Sequence, residues 1–282
     1  MLGLDLLNVE DSPMYNMIKS FLVISSFLVL SIFQANAQDY SLIADKYVAS
    51  SGDSVTYTIY QGRGLESSEI APEAVKNLIY ANYTQGGKKV ADTIPLNKDF
   101  LKYAAVQQNG GQSLLTIEFK GGAVTYDQLV VEDFAKTENL TDLASVIDSS
   151  GFTTEYTANT FFTAKALTIT DKSNGNLYKA KECKQLEIIL EQNPYKLQYG
   201  DDITAVILLD GKPLEGTSTT IYTKSGNGQV HAAKYRSNAE GKIYFKLNRS
   251  GLWLLQTVYA NPSQEKGINY NYYQSSFSFR FQ

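Results

Sequence analysis

Short runs that alternate apolar with polar residues constrain this chain more than any other feature. In Ser54–Tyr60, Val55, Tyr57 and Ile59 face one way, and Ser54, Thr56 and Thr58 the other. Residues 114–119, 162–169, 203–209, 218–223, 242–247, 253–259 and 275–281 behave similarly. A period of two puts one set of side chains on each face of a pleated strand. Val, Ile, Thr, Tyr and Phe dominate these runs, as half-buried pleated surfaces prefer. Turn formers separate them: Ser51-Gly52-Asp53, Asn109-Gly110-Gly111, Ser173-Asn174-Gly175, Asp210-Gly211, Asn238 to Gly241, and Ser250-Gly251. Ser225 to Gly228 reads as a hairpin turn between two strands. Short strands at this spacing predict an all-β chain built of β-sandwiches. The aromatic tail 270–281 also suits an outer-membrane barrel, but most runs are shorter than the ~9–11 residues a barrel strand needs.

One stretch departs from this period. Tyr126 to Ser149 reads as one or two short helices near 127–148, with Leu140, Leu143, Val146 and Ile147 on one face. Core packing is the expected use of that stripe. With 282 residues and 43% hydrophobic content, the chain is long enough for two domains. The expected division is an N-terminal β-rich domain at 38–172 carrying the helical insertion, a polar linker at 173–185, and a C-terminal sandwich at 186–282.

The first 37 residues read as an export signal. Lys19 precedes an apolar run from Phe21 to Phe33, and Ala35-Asn36-Ala37 follows as a small-x-small cleavage site. The run is short for a membrane span, which needs about 20 residues. Asp5, Glu10 and Asp11 are unusual before such a run, so Met14 or Met17 is an alternative start. Cleavage makes Gln38 the mature N-terminus and places the protein in the periplasm or outside the cell.

Chemistry-bearing residues are scarce. The formal net charge is −4, against the basic surface of a nucleic-acid binder. The single Cys, Cys183, excludes an intrachain disulfide. Lys181 and Lys184 flank it and favour a thiolate; the alternative is a stray thiol. His231 is the only imidazole, read as a lone ligand or acid–base group, or as a hairpin surface residue. No Gly-x-Ser-x-Gly elbow or phosphate-binding loop is present. Nothing supplies a positioned base, so the chain is read as non-enzymatic with no cofactor.

The second half carries a resemblance. Leu186-Glu187, Asn193-Pro194, Gly200-Asp201, Gly211-Lys212-Pro213-Leu214-Glu215-Gly216, Gly241 and Gly251-Leu252-Trp253 follow one another in order. This resembles the NikM-like family of periplasmic nickel or cobalt uptake components, otherwise catalogued as a domain of unknown function. The likeness is strongest over 186–259, with Leu190 where the pattern has a Pro. It implies two β-sandwich domains, the second immunoglobulin- or transthyretin-like. It also implies an accessory or binding component of periplasmic uptake, with a metal ion or its chelate as cargo and a membrane transport component or cell-surface protein as partner. Relatives often begin the mature chain with His-Asp-Phe-Trp, where this chain has Gln38-Asp39-Tyr40-Ser41, and the place of a later His falls near Tyr259. The motif residues themselves are structural: turn formers, a φ-fixing Pro213 and the core anchor Trp253. Two other readings stand beside uptake: a protein-interaction module that has lost metal binding, and a carbohydrate-binding module.

Overall fold

A computed structural model describes residues 39–65, 68–69, 78–91, 102–108, 110–151 and 153–282. The expected export signal, Gln38 and Asn109 lie outside them. The strands run in chain order as β1 (Tyr40–Ala44), β2 (Val48–Ala49), β3 (Ser54–Gln61), β4 (Ser68–Glu69), β5 (Leu78–Gln85), β6 (Lys88–Ala91), β7 (Lys102–Val106) and β8 (Gly111–Asp127). Two helices follow, α1 (Gln128–Glu138) and α2 (Thr141–Ser149). The rest is β9 (Glu155–Thr170), β10 (Glu187–Leu190), β11 (Asp202–Leu209), β12 (Lys212–Pro213), β13 (Ser218–Lys224), β14 (Val230–Arg236), β15 (Lys242–Lys246), β16 (Gly251–Pro262) and β17 (Tyr270–Phe281). Each expected run falls on a strand, and the helical stretch lies where its stripe placed it. Leu140, Leu143 and Val146 are buried, and Ile147 packs against them.

Among the described residues the strands form three sheets. The central one runs β14-β13-β16-β17-β9-β8-β5-β6, with β2 also on β9. Its pairings are antiparallel except β17 with β9 and β2 with β9. A second sheet centres on β3 and includes β1, β4 and β7; a third centres on β11 and includes β10, β12 and β15. The chain is thus an all-β sandwich protein with a short helical insertion.

The central sheet serves two cores, one on each face. Phe119, Phe162, Ala164, Val258 and Tyr272 pack with Leu42, Tyr57 and Ile59 of the second sheet and with Leu143 of α2. Leu114, Leu167, Trp253, Leu255, Phe277 and Phe279 pack with Ile188, Ile203, Ile207 and Phe245 of the third. On β16, odd-numbered Trp253 and Leu255 belong to the second group and even-numbered Val258 and Ala260 to the first. Because side chains alternate along a strand, the two cores lie on opposite faces. Covering both faces explains why β9 and β17 are buried almost throughout, including Thr163, Lys165, Ser275 and Ser276. Segment 173–185, expected as a linker, contributes Leu177 to the second core and buries Cys183.

Candidate functional site

One concavity lies where two sheet edges part. The chain leaves β14 at Arg236, turns through 237–241 and enters β15 in the other sheet. Asn238 closes that turn: its Oδ1 accepts the backbone N–H groups of Glu240 (3.0 Å) and Lys242 (2.9 Å). Among the described strands β14 pairs only with β13, and β15 only with β11. The sandwich is therefore open between them, leaving a cleft of about 480 Å³.

Ile221, Phe245 and Trp253 form the inner wall of the cleft. The Trp253 ring stacks between Phe245 (5.7 Å, 27°) and Phe279 (6.0 Å, 14°). Its indole N–H donates to the Arg249 carbonyl at 3.0 Å, which satisfies the polar edge and ties the rim to the core. His231, Tyr235, Asn248 and Arg249 stand around the mouth. Lys246 is already paired with Asp202 at 2.8 Å. Arg249 bonds only sideways, from Nη1 to Asn248 Oδ1 at 3.1 Å, and no carboxylate of the described residues pairs with it. Ile221, Phe245 and Trp253 are only 3–4% exposed, so the cleft offers mainly its rim, where the guanidinium of Arg249 fits a carboxylate or phosphate.

The segment that the resemblance singled out at the mature N-terminus is used internally. Asp39 is fully buried; its Oδ1 accepts from Tyr272 Oη at 2.8 Å, and its Oδ2 lies 3.2 Å from Arg63 Nε. Arg63 Nη2 reaches Glu138 Oε1 at 2.6 Å, and Lys234 Nζ reaches Glu138 Oε2 at 2.9 Å. Burial pushes the Asp39 carboxyl above its ordinary range, against the opposing pull of Arg63. The ion pairs clamp the end of α1 to β14 and to the chain before β1. Among the described residues, no three His, Cys, Asp or Glu side chains converge as a metal-binding set.

A second surface feature crosses β9, β17 and β16. Lys120 lies over the Phe161 ring (5.4 Å), Phe161 stacks on Tyr273 (5.1 Å, 16°), and Tyr273 on Tyr259 (6.2 Å, 25°). Tyr259 Oη donates to Asp142 Oδ2 at 2.6 Å. The ring faces are spent on one another, so the ladder offers edges rather than the flat platform a sugar stacks on.

The residues of the sequence motif hold the second sandwich together. Asn193 caps a short 3-10 turn at Pro194–Lys196, accepting from Tyr195 N (3.0 Å) and donating to the Ser173 carbonyl (2.7 Å). Asp201 Oδ2 accepts from Gln198 N at 2.8 Å in the turn that Gly200 completes. Asp210 and Gly211, at φ of 50° and 73°, make a two-residue hairpin loop ahead of Pro213 on β12. Gly216, Gly241 and Gly251 also have positive φ. Only Trp253 lines the cleft. The alternatives for His231 resolve to a half-buried strand residue on the cleft rim. Cys183 is buried, which pushes its thiol up rather than toward a thiolate. Sequence reasoning missed Arg249, because no spacing rule links it to His231; the corner between β14 and β15 does.

Fold and site define a β-sandwich protein with one open edge between β14 and β15. The chain belongs to the family described as "Domain of unknown function (DUF4198)", whose profile matches residues 35–261. No curated protein matches its sequence. Among solved structures it is similar to the D0-D1 domain of intimin (14% identity, 87% of this chain and 98% of that one, TM-score 0.22). It is also similar to the FN1-FN3 domains of chicken CNTN1 (9%, 87% and 65%, TM-score 0.21). A third likeness is to a tandem repeat from the extending region of a large adhesion protein (11%, 87% and 75%, TM-score 0.21). Overlaps this loose carry no argument about function. No helix among the described residues is long and apolar enough to cross a membrane.

Proposed function

We propose that this chain is an exported, non-enzymatic binding component that holds an anionic organic ligand in the cleft between β14 and β15. The carrying observation is Arg249 at the cleft mouth, whose guanidinium has no carboxylate partner among the described residues, above a wall of Phe245 and Trp253 that is only 4% and 3% exposed. A bare nickel or cobalt ion gains little from such a wall. A metal chelate with carboxylate arms gains from both parts of it, which keeps the NikM-like uptake reading as a chelate carrier handing cargo to a membrane component. The export signal and the NikM-like likeness of 186–259 support that setting. The Phe161–Tyr273–Tyr259 ladder supports the carbohydrate reading poorly, since its rings present edges.

Calorimetric titration of residues 38–282 tests this, with nickel, cobalt, zinc and calcium as free ions and with nickel citrate and citrate alone. Saturable heat with citrate or its nickel complex, lost in Arg249→Ala, is the expected result. Heat with free ions alone would return the metal-ion reading. Silence with every ligand would overturn small-ligand binding and leave the protein-interaction module.

A further inference from the structure

The free edge of β14 has a use that the small-ligand reading of the cleft does not give it. A strand edge presents a row of N–H and C=O groups with which another strand can pair. The hairpin shows which groups these are. At one end of the β13–β14 ladder the Ser225 N–H donates to the Gln229 carbonyl (3.0 Å); at the other the Ser237 N–H donates to the Thr217 carbonyl (3.1 Å). Both pairs continue the register that sets Thr223 against His231 and Ile221 against Ala233. Bonded pairs recur at every second residue of an antiparallel ladder, so the odd-numbered residues of β14 spend their backbone groups on β13. Those of Ala232 and Lys234 point the other way, and no described strand pairs with them. Ala232, Ala233 and Lys234 are exposed.

Charged side chains ordinarily blunt such an edge. Here they are drawn off it. Lys234 Nζ donates to Glu138 Oε2 (2.9 Å) and to the Thr137 carbonyl (3.0 Å), and Arg236 Nε to the Gly216 carbonyl (2.9 Å). The positive charge remains in the region. Residues 218–249 hold six Lys and Arg against one acidic residue, Glu240, in a chain of net charge −4. Glu138, Glu191 and Asp202, from outside that segment, pair with Lys234, Lys242 and Lys246. An excess of two positive charges is left, and Lys224, Arg236 and Arg249 have no carboxylate partner among the described residues. Lys224 stands opposite Val230 at one end of β14, and Arg236 closes the other end. Both are even-numbered and lie on the face away from Ile221 and Tyr235.

We propose that β14 takes up an extended acidic segment of a partner protein as an added strand, one that alternates Asp or Glu with apolar residues. The backbone of that segment pairs with Ala232 and Lys234, which gives affinity, and its alternation sets the register. Its carboxylates stand on the face of Lys224 and Arg236. Its apolar side chains stand on the face of Ala233 and Tyr235, whose ring centre lies 6.1 Å from that of Phe245. A second copy of β14 brings the same uncompensated cations to the edge, so like charge opposes self-pairing. The proposal goes beyond the small-ligand reading, because it needs the backbone of β14 and not Arg249.

The probe is a capped peptide as long as β14 that alternates Glu with Val, added to residues 38–282. Calorimetry reads binding, and NMR reads amide exchange. Saturable binding is expected, with exchange at the Ala232 and Lys234 N–H groups slowed at least tenfold. Ala232→Pro removes one outward N–H and leaves the ladder to β13 intact, at a place where an edge strand accepts Pro. It is expected to weaken the peptide at least tenfold. If that variant fails to fold, the double change Lys224→Glu and Arg236→Glu decides: it is expected to reject the Glu peptide and to take the counterpart with Lys for Glu. Absence of binding, binding that leaves those two amides unprotected, or equal binding of the Lys counterpart by the wild type would overturn the proposal. Protection of the same amides by dimerisation without peptide would also overturn it. Citrate heat beside a silent peptide sinks this proposal alone; peptide pairing beside silent citrate sinks the small-ligand reading alone.

Discussion

Gly251 shows how tightly single residues are specified. It opens β16 at φ 136°, and a Cβ there would collide with the Lys224 carbonyl across the sheet. Gly52 also has positive φ, at 94°, but nothing stands within 4 Å of its missing Cβ. Gly251→Ala therefore costs about 2 kcal/mol or more from strain and overlap together. Gly52→Ala costs about 1 kcal/mol from strain alone, and chemical denaturation of the two variants measures the difference. Glu118 makes a pH-dependent contribution. Burial is the largest influence on it and raises its pKa above the ordinary 4.5, while the Cys183 thiol and the Lys184 backbone N–H pull it back only in part. The folded chain thus binds that proton more tightly than the unfolded one. Stability from the protonated carboxyl is present below pH 4.5 and is lost as pH rises through the folded pKa. Glu118→Gln is accordingly expected to gain stability relative to wild type between pH 4 and pH 7. A relative loss over that range, in urea unfolding at each pH, would contradict it.

At the scale of elements, caps and edges decide what the pattern leaves open. Asp127 caps α1 by accepting from Leu129 N at 2.8 Å, so Asp127→Ala is expected to cost ~1 kcal/mol. Glu138, at the other end of α1, receives both Arg63 and Lys234. Those two cations keep partial access to water, so Glu138→Ala costs ~1–3 kcal/mol rather than the full penalty of a stranded buried charge. Thermal unfolding of both variants checks the order, with the Glu138 change the larger. The strands were legible where one face is covered, as in β3, whose Val55, Tyr57 and Ile59 are buried as their alternation implies. The extent of β9 and β17 was not legible. Sheets cover both of their faces, so Thr163, Ser275 and Ser276 are buried although their polarity reads as outward. The helices announced themselves through Leu140, Leu143 and Val146, because a helical stripe depends only on local spacing. The ion pair of Asp39 with Arg63 ties the chain before β1 to the loop after β3, that of Lys165 with Glu187 ties β9 to β10, and no local signal marks either.

On the scale of the whole molecule, a long shared sheet with a core on each face fixes the frame, and the parting of β14 from β15 leaves one mouth in it. The motif residues at 193–253 were readable because turns demand Gly, Asn, Asp and Pro. The cleft was not, since its wall and rim come from β13, β14, β15 and β16. The same frame gives the cleft a built-in reporter. Trp253 is the protein's only tryptophan, and it sits in the cleft wall under the Arg249 carbonyl. Tryptophan fluorescence of residues 38–282, titrated with citrate and with nickel citrate, reads that wall directly. The account predicts a saturable change in Trp253 emission that Arg249→Ala weakens at least tenfold in affinity while leaving the unfolding midpoint unchanged. Binding detected by calorimetry with no change in Trp253 emission, or with Arg249→Ala as tight as wild type, would contradict it.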